Sequence, residues 1–270
     1  MLSQVKKLEP YLFPKIKIEK HDDIYVVRED LLEGGSKRRF IDRYIREEIE
    51  KGAEEFVFGG CPATGYAQMS LTLQASKYGA KSTFFMAKRG LDKLHDYQKK
   101  ALEYGANIEW VNMGMLNVTL SRAKKYYEED TFKRRNFPLG LEDERVLEDI
   151  VVLGKEIKEE WKDKFSEIWS VGSSGTLSRG LQRAFPELDV HVVSVGHKMS
   201  EREIGRAKFY KSPYKFDKPI KWADSPPFPS APTYDAKAWP FIKQYAKANA
   251  MFWNVGAWLT NYIFVIYYSK

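Results

Sequence analysis

A chain of 270 residues is long enough to bury a substantial core, and 43% hydrophobic with 14% aromatic content excludes disorder as its general state. The formal net charge of +7 favours anionic partners but does not choose among nucleic acid, phosphate groups and plain solubility. One cysteine, Cys61, excludes an internal disulfide framework and a cysteine-rich zinc site, so a reducing, cytoplasmic setting is expected. Residues 1–15 lack the continuous apolar stretch of a secretory signal, and export is not expected.

From residue 56 the pattern alternates short β-rich runs with longer segments of helical period. A strand at 56–58 ends in Gly59-Gly60, a helix over 66–78 is closed by Gly79, and 82–87 forms the next strand. A helix over 91–104, closed by Gly105, leads to a strand at 107–111. Two stretches interrupt the rhythm. The polar segment 131–144, with Pro138 and Gly140, reads as a connection between layers or lobes, and 211–232 carries six prolines and must run as a loop. Between them the alternation resumes, with a charged amphipathic helix at 146–161, a strand at 167–171, a helix at 176–185 and a strand at 190–195. Residues 252–268 form the most apolar segment. Asn254 and Asn261 interrupt it, and it is shorter than the roughly 20 apolar residues of a membrane-spanning helix, so a buried strand or helix is expected. The class is α/β, with mainly parallel sheets flanked by helices.

Three constellations could carry chemistry. The first is Arg28-Glu29-Asp30 followed by Gly34-Gly35-Ser36-Lys37-Arg38-Arg39, where Ser36 reads as an N-cap and Lys37 stands in the first turn of a helix. The helix dipole and two adjacent arginines would lower that amine's proton affinity, as Schiff-base chemistry requires. Taken alone, a solvated basic cluster is the plainer explanation. The second is Gly172-Ser173-Ser174-Gly175-Thr176 between a strand and a helix, where backbone N–H groups and hydroxyls could converge on a phosphate. It lacks the lysine of a P-loop and the spacing of a dinucleotide fingerprint, so a single cofactor phosphate or a plain tight turn are the two readings. The third is Gly59-Gly60-Cys61-Pro62-Ala63-Thr64-Gly65, again a strand-to-helix turn, whose amides could receive a carboxylate. His21, His95, His191 and His197 show no paired metal spacing, so no metal is expected and each histidine reads as surface or packing. Cys61 reads as a small buried residue.

In this order, the three features resemble the type II fold of pyridoxal 5′-phosphate (PLP) enzymes, the tryptophan synthase β-like superfamily. The resemblance is to the branch of 1-aminocyclopropane-1-carboxylate deaminase and D-cysteine desulfhydrase. A later segment of that branch, Tyr-Glu/Asp-Gly-Lys before a helix and an aromatic strand, is similar to Tyr234-Asp235-Ala236-Lys237 and then 250–256. The resemblance implies a two-lobed, compact version of the fold. A larger PLP-binding domain would comprise 1–50 and 132–270, and a smaller α/β domain at 51–131 would carry the substrate loop.

It implies Lys37 as the Schiff-base lysine, Gly172, Ser173, Ser174, Gly175 and Thr176 as the phosphate loop, and Asp235 beside the pyridine nitrogen. Tyr234 is then a candidate acid or stacking residue, and Ala63, Thr64, Gly65 and Tyr66 would hold the substrate. Where the branch has Ser-Asn this chain has Ala63-Thr64. That removes one hydroxyl near the substrate carboxylate and puts a hydroxyl in place of the amide that meets the cofactor's phenolic oxygen. The strand 253–256 also lacks the threonine often present. The implied activity is a PLP-dependent lyase or deaminase of amino-acid metabolism, working as a homodimer. Two alternatives keep the fold. One is a PLP enzyme acting on an amino acid attached to a modified base in nucleic acid, motivated by the charge and by Lys133-Arg134-Arg135. The other is a non-catalytic binding protein.

Overall fold

A computed structural model describes residues 7–162, 164–196 and 198–257. Among these, in chain order, come β1 (Ile18–His21), β2 (Ile24–Arg28), α1 (Gly35–Phe40), α2 (Asp42–Glu50), β3 (Glu55–Phe58), α3 (Ala67–Lys77), β4 (Lys81–Ala87), α4 (Asp96–Glu103), β5 (Asn107–Val111), α5 (Leu116–Glu128), β6 (Arg134–Asn136), α6 (Glu144–Trp161), β7 (Ile168–Gly172), α7 (Thr176–Ala184), β8 (Val190–Ser194), α8 (Glu201–Ile204), β9 (Lys208–Lys211), α9 (Trp239–Tyr245) and β10 (Ala250–Asn254). The chain divides into two compact units, one from Met1–Phe13 and Lys37–Val146, the other from Pro14–Ser36 and Leu147–Lys270.

The second unit is built on a six-stranded sheet in the order β1-β2-β10-β7-β8-β9. Only the β1–β2 hairpin is antiparallel. β7, β8 and β10 are buried at every position, as parallel strands covered on both faces must be. One core cluster holds Trp169, Val193, Phe228, Trp239 and Phe252. α6 and α7 pack at small residues: a side-chain carbon on Gly180 would meet Ile150 Cβ at 2.7 Å. β10 accounts for the start of the apolar segment 252–268; residues 258–270 lie outside the described residues.

The first unit carries a four-stranded, wholly parallel sheet in the order β5-β4-β3-β6. Val57, Phe85, Val111 and Ala123 form a core cluster between this sheet and α5. Here three expectations are revised. The segment 131–144 contains β6, whose Arg134 and Arg135 register with Glu55 and Phe56 of β3. Residues 132–146, and likewise 37–50, therefore belong with this smaller sheet rather than with the larger one. The helix expected over 91–104 begins at Asp96, because His95 caps it: its ring accepts from the Tyr97 N–H, and the Gln98 side chain accepts from the His95 N–H. Leu91–Lys93 is a separate 3₁₀ turn. No described helix is long and apolar enough to cross a membrane.

Candidate functional site

The turn between β7 and α7 is shaped by its glycines. Gly175 has φ +72°, and a side-chain carbon there would collide with the Glu203 carbonyl, lying 2.8 Å from its carbon. At Gly172 the added carbon would lie 2.7 Å from Val192 Cγ2. Backbone N–H groups therefore stand without side-chain bulk at the start of the nine-residue α7. Ser174 Oγ and Thr176 Oγ1 lie 3.2 Å apart on the same turn. This arrangement suits an anion with several oxygens.

Tyr234 reaches this turn. The Tyr234 hydroxyl is hydrogen-bonded to the backbone of Ser173. Burial pushes its pKa well above the usual phenol value and the Asp235 charge pushes the same way, outweighing the Ser173 bond. Tyr234 is thus a phenol, not a phenolate, throughout the neutral range. Asp235 is buried at the start of a 3₁₀ turn, Asp235–Ala238.

Sequence reasoning gave Lys237 no role, yet it is one of the most deeply buried large side chains, at 1% exposure. Its Nζ donates to the carbonyls of Lys215 at 2.9 Å and Phe216 at 3.2 Å. Burial pulls its pKa down to about 8, against the opposing charge of Asp217. The only sequence signal was its place in the segment 234–237, since a lysine's burial has no periodic signature.

Around Lys37 the local reading changes. Ser36 is not a cap: it sits inside α1, its Oγ accepts from Trp253 Nε1 at 2.8 Å, and its N–H donates to the Val255 carbonyl at 3.1 Å. Lys37 therefore directly follows a residue held to the C-terminal end of β10. α1 has only six residues, so the dipole argument for its amine carries little weight. Arg38 is not solvated either, with 3% exposure. Its Nε donates to Gln74 Oε1 at 2.9 Å, and its guanidinium lies 4.7 Å from the Tyr11 ring centre. Arg39 lies over Phe13 at 5.1 Å.

Upstream, Arg28 grips both oxygens of buried Asp30 at 2.9 Å each and also pairs with Glu19. Asn254 Nδ2 donates to Asp30 Oδ1 and to the Pro229 carbonyl, both at 2.8 Å.

In the four-stranded unit, the turn 59–66 links β3 to α3. A side-chain carbon on Gly59 would lie 2.6 Å from the Thr119 carbonyl, so α5 can approach only glycine here. The Gly65 N–H closes the turn on the Pro62 carbonyl at 2.8 Å. Ala63, Thr64, Gly65 and Tyr66 are half-buried in succession, with Tyr66 at the N-cap of the eleven-residue α3. The Tyr66 ring meets Tyr97 edge-on at 4.6 Å. Cys61 donates to the Phe58 carbonyl, and burial raises its thiol well above the usual range, which removes it as a nucleophile.

The described histidines are structural. His191 stacks on Trp169 at 4.3 Å, His95 caps α4, and His21 lies against Phe228. His197 lies outside the described residues.

No protein-family model matches the chain, and no curated protein is similar to it in sequence. Solved structures are similar in fold. An "ACC deaminase homologue" matches with TM-score 0.73 at 17% identity, over 86% of this chain and 84% of that one. Serine racemase from Dictyostelium discoideum matches with TM-score 0.64 at 15% identity, over 87% and 86%. The processed form of threonine deaminase isoform 2 from Solanum lycopersicum matches with TM-score 0.63 at 16% identity, over 91% and 78%. At these identities the likeness establishes the fold, which is the one the sequence resemblance implied.

Proposed function

We propose that the protein is a PLP-dependent lyase or deaminase acting at Cα or Cβ of an amino acid, with Lys37 as its Schiff-base lysine. The observation that carries this reading is the glycine-shaped turn 172–176 at the start of α7, joined by Tyr234 at Ser173. It occurs on a fold shared with structures described as an ACC deaminase homologue, a threonine deaminase and a diaminopropionate ammonia lyase. When bound, PLP supplies an electron sink for negative charge developing at the substrate Cα.

The chain's own residues then divide the work. Gly172, Ser173, Ser174, Gly175 and Thr176 offer amide and hydroxyl donors to the phosphate. Asp235, which is buried, would sit beside the pyridine nitrogen and, as a carboxylate, would favour its protonated form. Lys37 would supply the amine that holds the cofactor and, once displaced, the base for a proton at the substrate Cα. The amides of Gly65 and Tyr66, with the Thr64 hydroxyl and the small Ala63, receive the substrate carboxylate. Tyr234 donates a hydrogen bond or a proton, because its raised pKa rules out a resting base at neutral pH.

The purified protein with added PLP should develop a visible absorption band that borohydride fixes to the chain and that Lys37→Ala abolishes. A colourless mixture with no trapped cofactor would overturn the reading in favour of a non-catalytic binding protein. Release of ammonia and a keto acid across a panel of amino acids would then identify the substrate.

A second reading moves the substrate to an amino acid attached to a modified base in nucleic acid. It is favoured by a basic surface groove of about 600 Å³ lined by Lys155, Lys158, Lys162 and Arg183. The resemblance and the single cysteine support a homodimer in the cytoplasm, which gel filtration and fractionation would test.

A further inference from the structure

Lys237 is a buried cation whose charge is met by two backbone carbonyls rather than by a carboxylate. Removing an ammonium from water costs several kcal/mol that such contacts only partly offset. A methionine would fill the same space more favourably. The carbonyls it holds belong to the 213–218 turn in the proline-rich loop. That turn is anchored at its start by the Ser212 N–H on the Ser194 carbonyl, and Ile220 donates to the Pro232 carbonyl beyond it. Between these two points Lys237 is the side chain that pins Lys215 and Phe216.

Phe216 in turn leans on the phosphate loop's surroundings. A carbon added to Gly196 would lie 3.2 Å from Phe216 Cδ2 and 3.6 Å from Ser173 Oγ, which places the Phe216 ring and the Ser173 hydroxyl at the same glycine. Gly196 itself has φ +107°. A chain of contacts thus runs from the 3₁₀ turn of Asp235, through the Lys237 amine, to the 213–218 turn, to Phe216 and Gly196, and back to Ser173. The Tyr234 hydroxyl also meets Ser173, at its backbone.

We infer that Lys237 is a positioning residue: its amine holds the 213–218 turn against the 172–176 cradle, and the grip of that cradle on a phosphate depends on the tether. The inference rests on the reading of 172–176 as a phosphate loop. It predicts that the tether acts on the phosphate and not on the aldehyde-bearing ring.

The test compares wild type, Lys237→Met, Lys237→Gln and Phe216→Ala for binding of PLP, pyridoxal without its phosphate, and inorganic phosphate. Each protein is also digested with trypsin, which can cut after the exposed Lys215 but not at the Lys218–Pro219 bond. Loss of charged hydrogen bonds should weaken PLP and phosphate binding by about tenfold or more in Lys237→Met, with pyridoxal binding unchanged and cleavage after Lys215 faster. Lys237→Gln, which keeps an amide donor, should fall between. Phe216→Ala should reproduce the phosphate defect with the lysine intact, and it decides the matter if Lys237→Met fails to fold. Equal loss of pyridoxal and PLP would indicate a merely structural lysine and overturn the inference, as would wild-type phosphate binding and cleavage in Lys237→Met. A wild type that binds neither PLP nor phosphate would overturn the phosphate-loop reading itself, and a tether on the turn would still show in the trypsin rates.

Discussion

Gly175 combines two constraints that only a glycine meets. Its φ of +72° is costly for any side chain, and the Glu203 backbone occupies the space a side chain would need. Gly175→Ala should therefore cost about 1–3 kcal/mol in denaturant unfolding and should weaken PLP binding well beyond that, because the turn must move to relieve the clash. Lys237 makes a separate prediction through linkage. Its folded pKa of about 8 lies below the unfolded value of 10.5, so between these pH values the unfolded chain binds more protons and stability rises with pH. Below pH 8 the full cost of the buried charge is present. Denaturant melts across pH 7.5–10.5 should show this rise, up to about 3 kcal/mol, and Lys237→Met should flatten it. The residues legible in the sequence were those whose backbone role shows in the residue type, such as Gly172 and Gly175. Ser36 was misread as a cap because its partner, Trp253, lies 217 positions away. No local pattern encodes that bond.

At the scale of elements, β10 is the member to which the others are fitted. It lies between β2 and β7, its Asn254 holds Asp30, and its Trp253 and the following Val255 hold Ser36. The Arg28-Glu29-Asp30 run thus earns its place structurally: Asp30 clamps the end of β2 to the end of β10, immediately upstream of α1 and Lys37. Removing one partner of a buried ion pair leaves the other charge uncompensated. Because Arg28 keeps Glu19, Asp30→Ala should cost less than the roughly 3–5 kcal/mol of a fully orphaned charge, and Asp30→Asn, which keeps an acceptor for Arg28 and Asn254, should cost less still; thermal melts of the two variants would decide it. β1, β2, β9 and α5 drew no expectation from the sequence, while the strands at 56–58, 82–87 and 190–195 were readable as short β-rich runs. β6 was not, since three residues reading Arg-Arg-Asn carry no apolar alternation. Its pairing is held instead by charge: Arg134 Nε donates to Glu55 at 3.1 Å and Arg135 Nε to Glu48 at 2.6 Å.

For the whole molecule, those ion pairs answer a question the composition left standing. The Lys133-Arg134-Arg135 cluster was the most suggestive contributor to the +7 charge. Its members face Glu54, Glu55 and Glu48, so the cluster serves the four-stranded unit and is not an open anion surface. Arg38 and Arg39 are likewise engaged with aromatic rings. One basic groove lies between α6 and α7, where Lys155, Lys158 and Lys162 recur at one-turn spacing beside Arg183. Glu159 and the Lys158–Glu187 pair at 2.7 Å dilute it. Such a surface should engage about three phosphates, for which affinity falls some tens-fold between 50 and 200 mM salt. Filter binding of duplex DNA should show that slope, and Lys155→Glu with Lys162→Glu should abolish retention while leaving the PLP absorption band intact. Retention that survives the double reversal would move the contact elsewhere on the molecule. Absence of retention at low salt would remove the nucleic-acid reading and leave a free amino acid as the substrate.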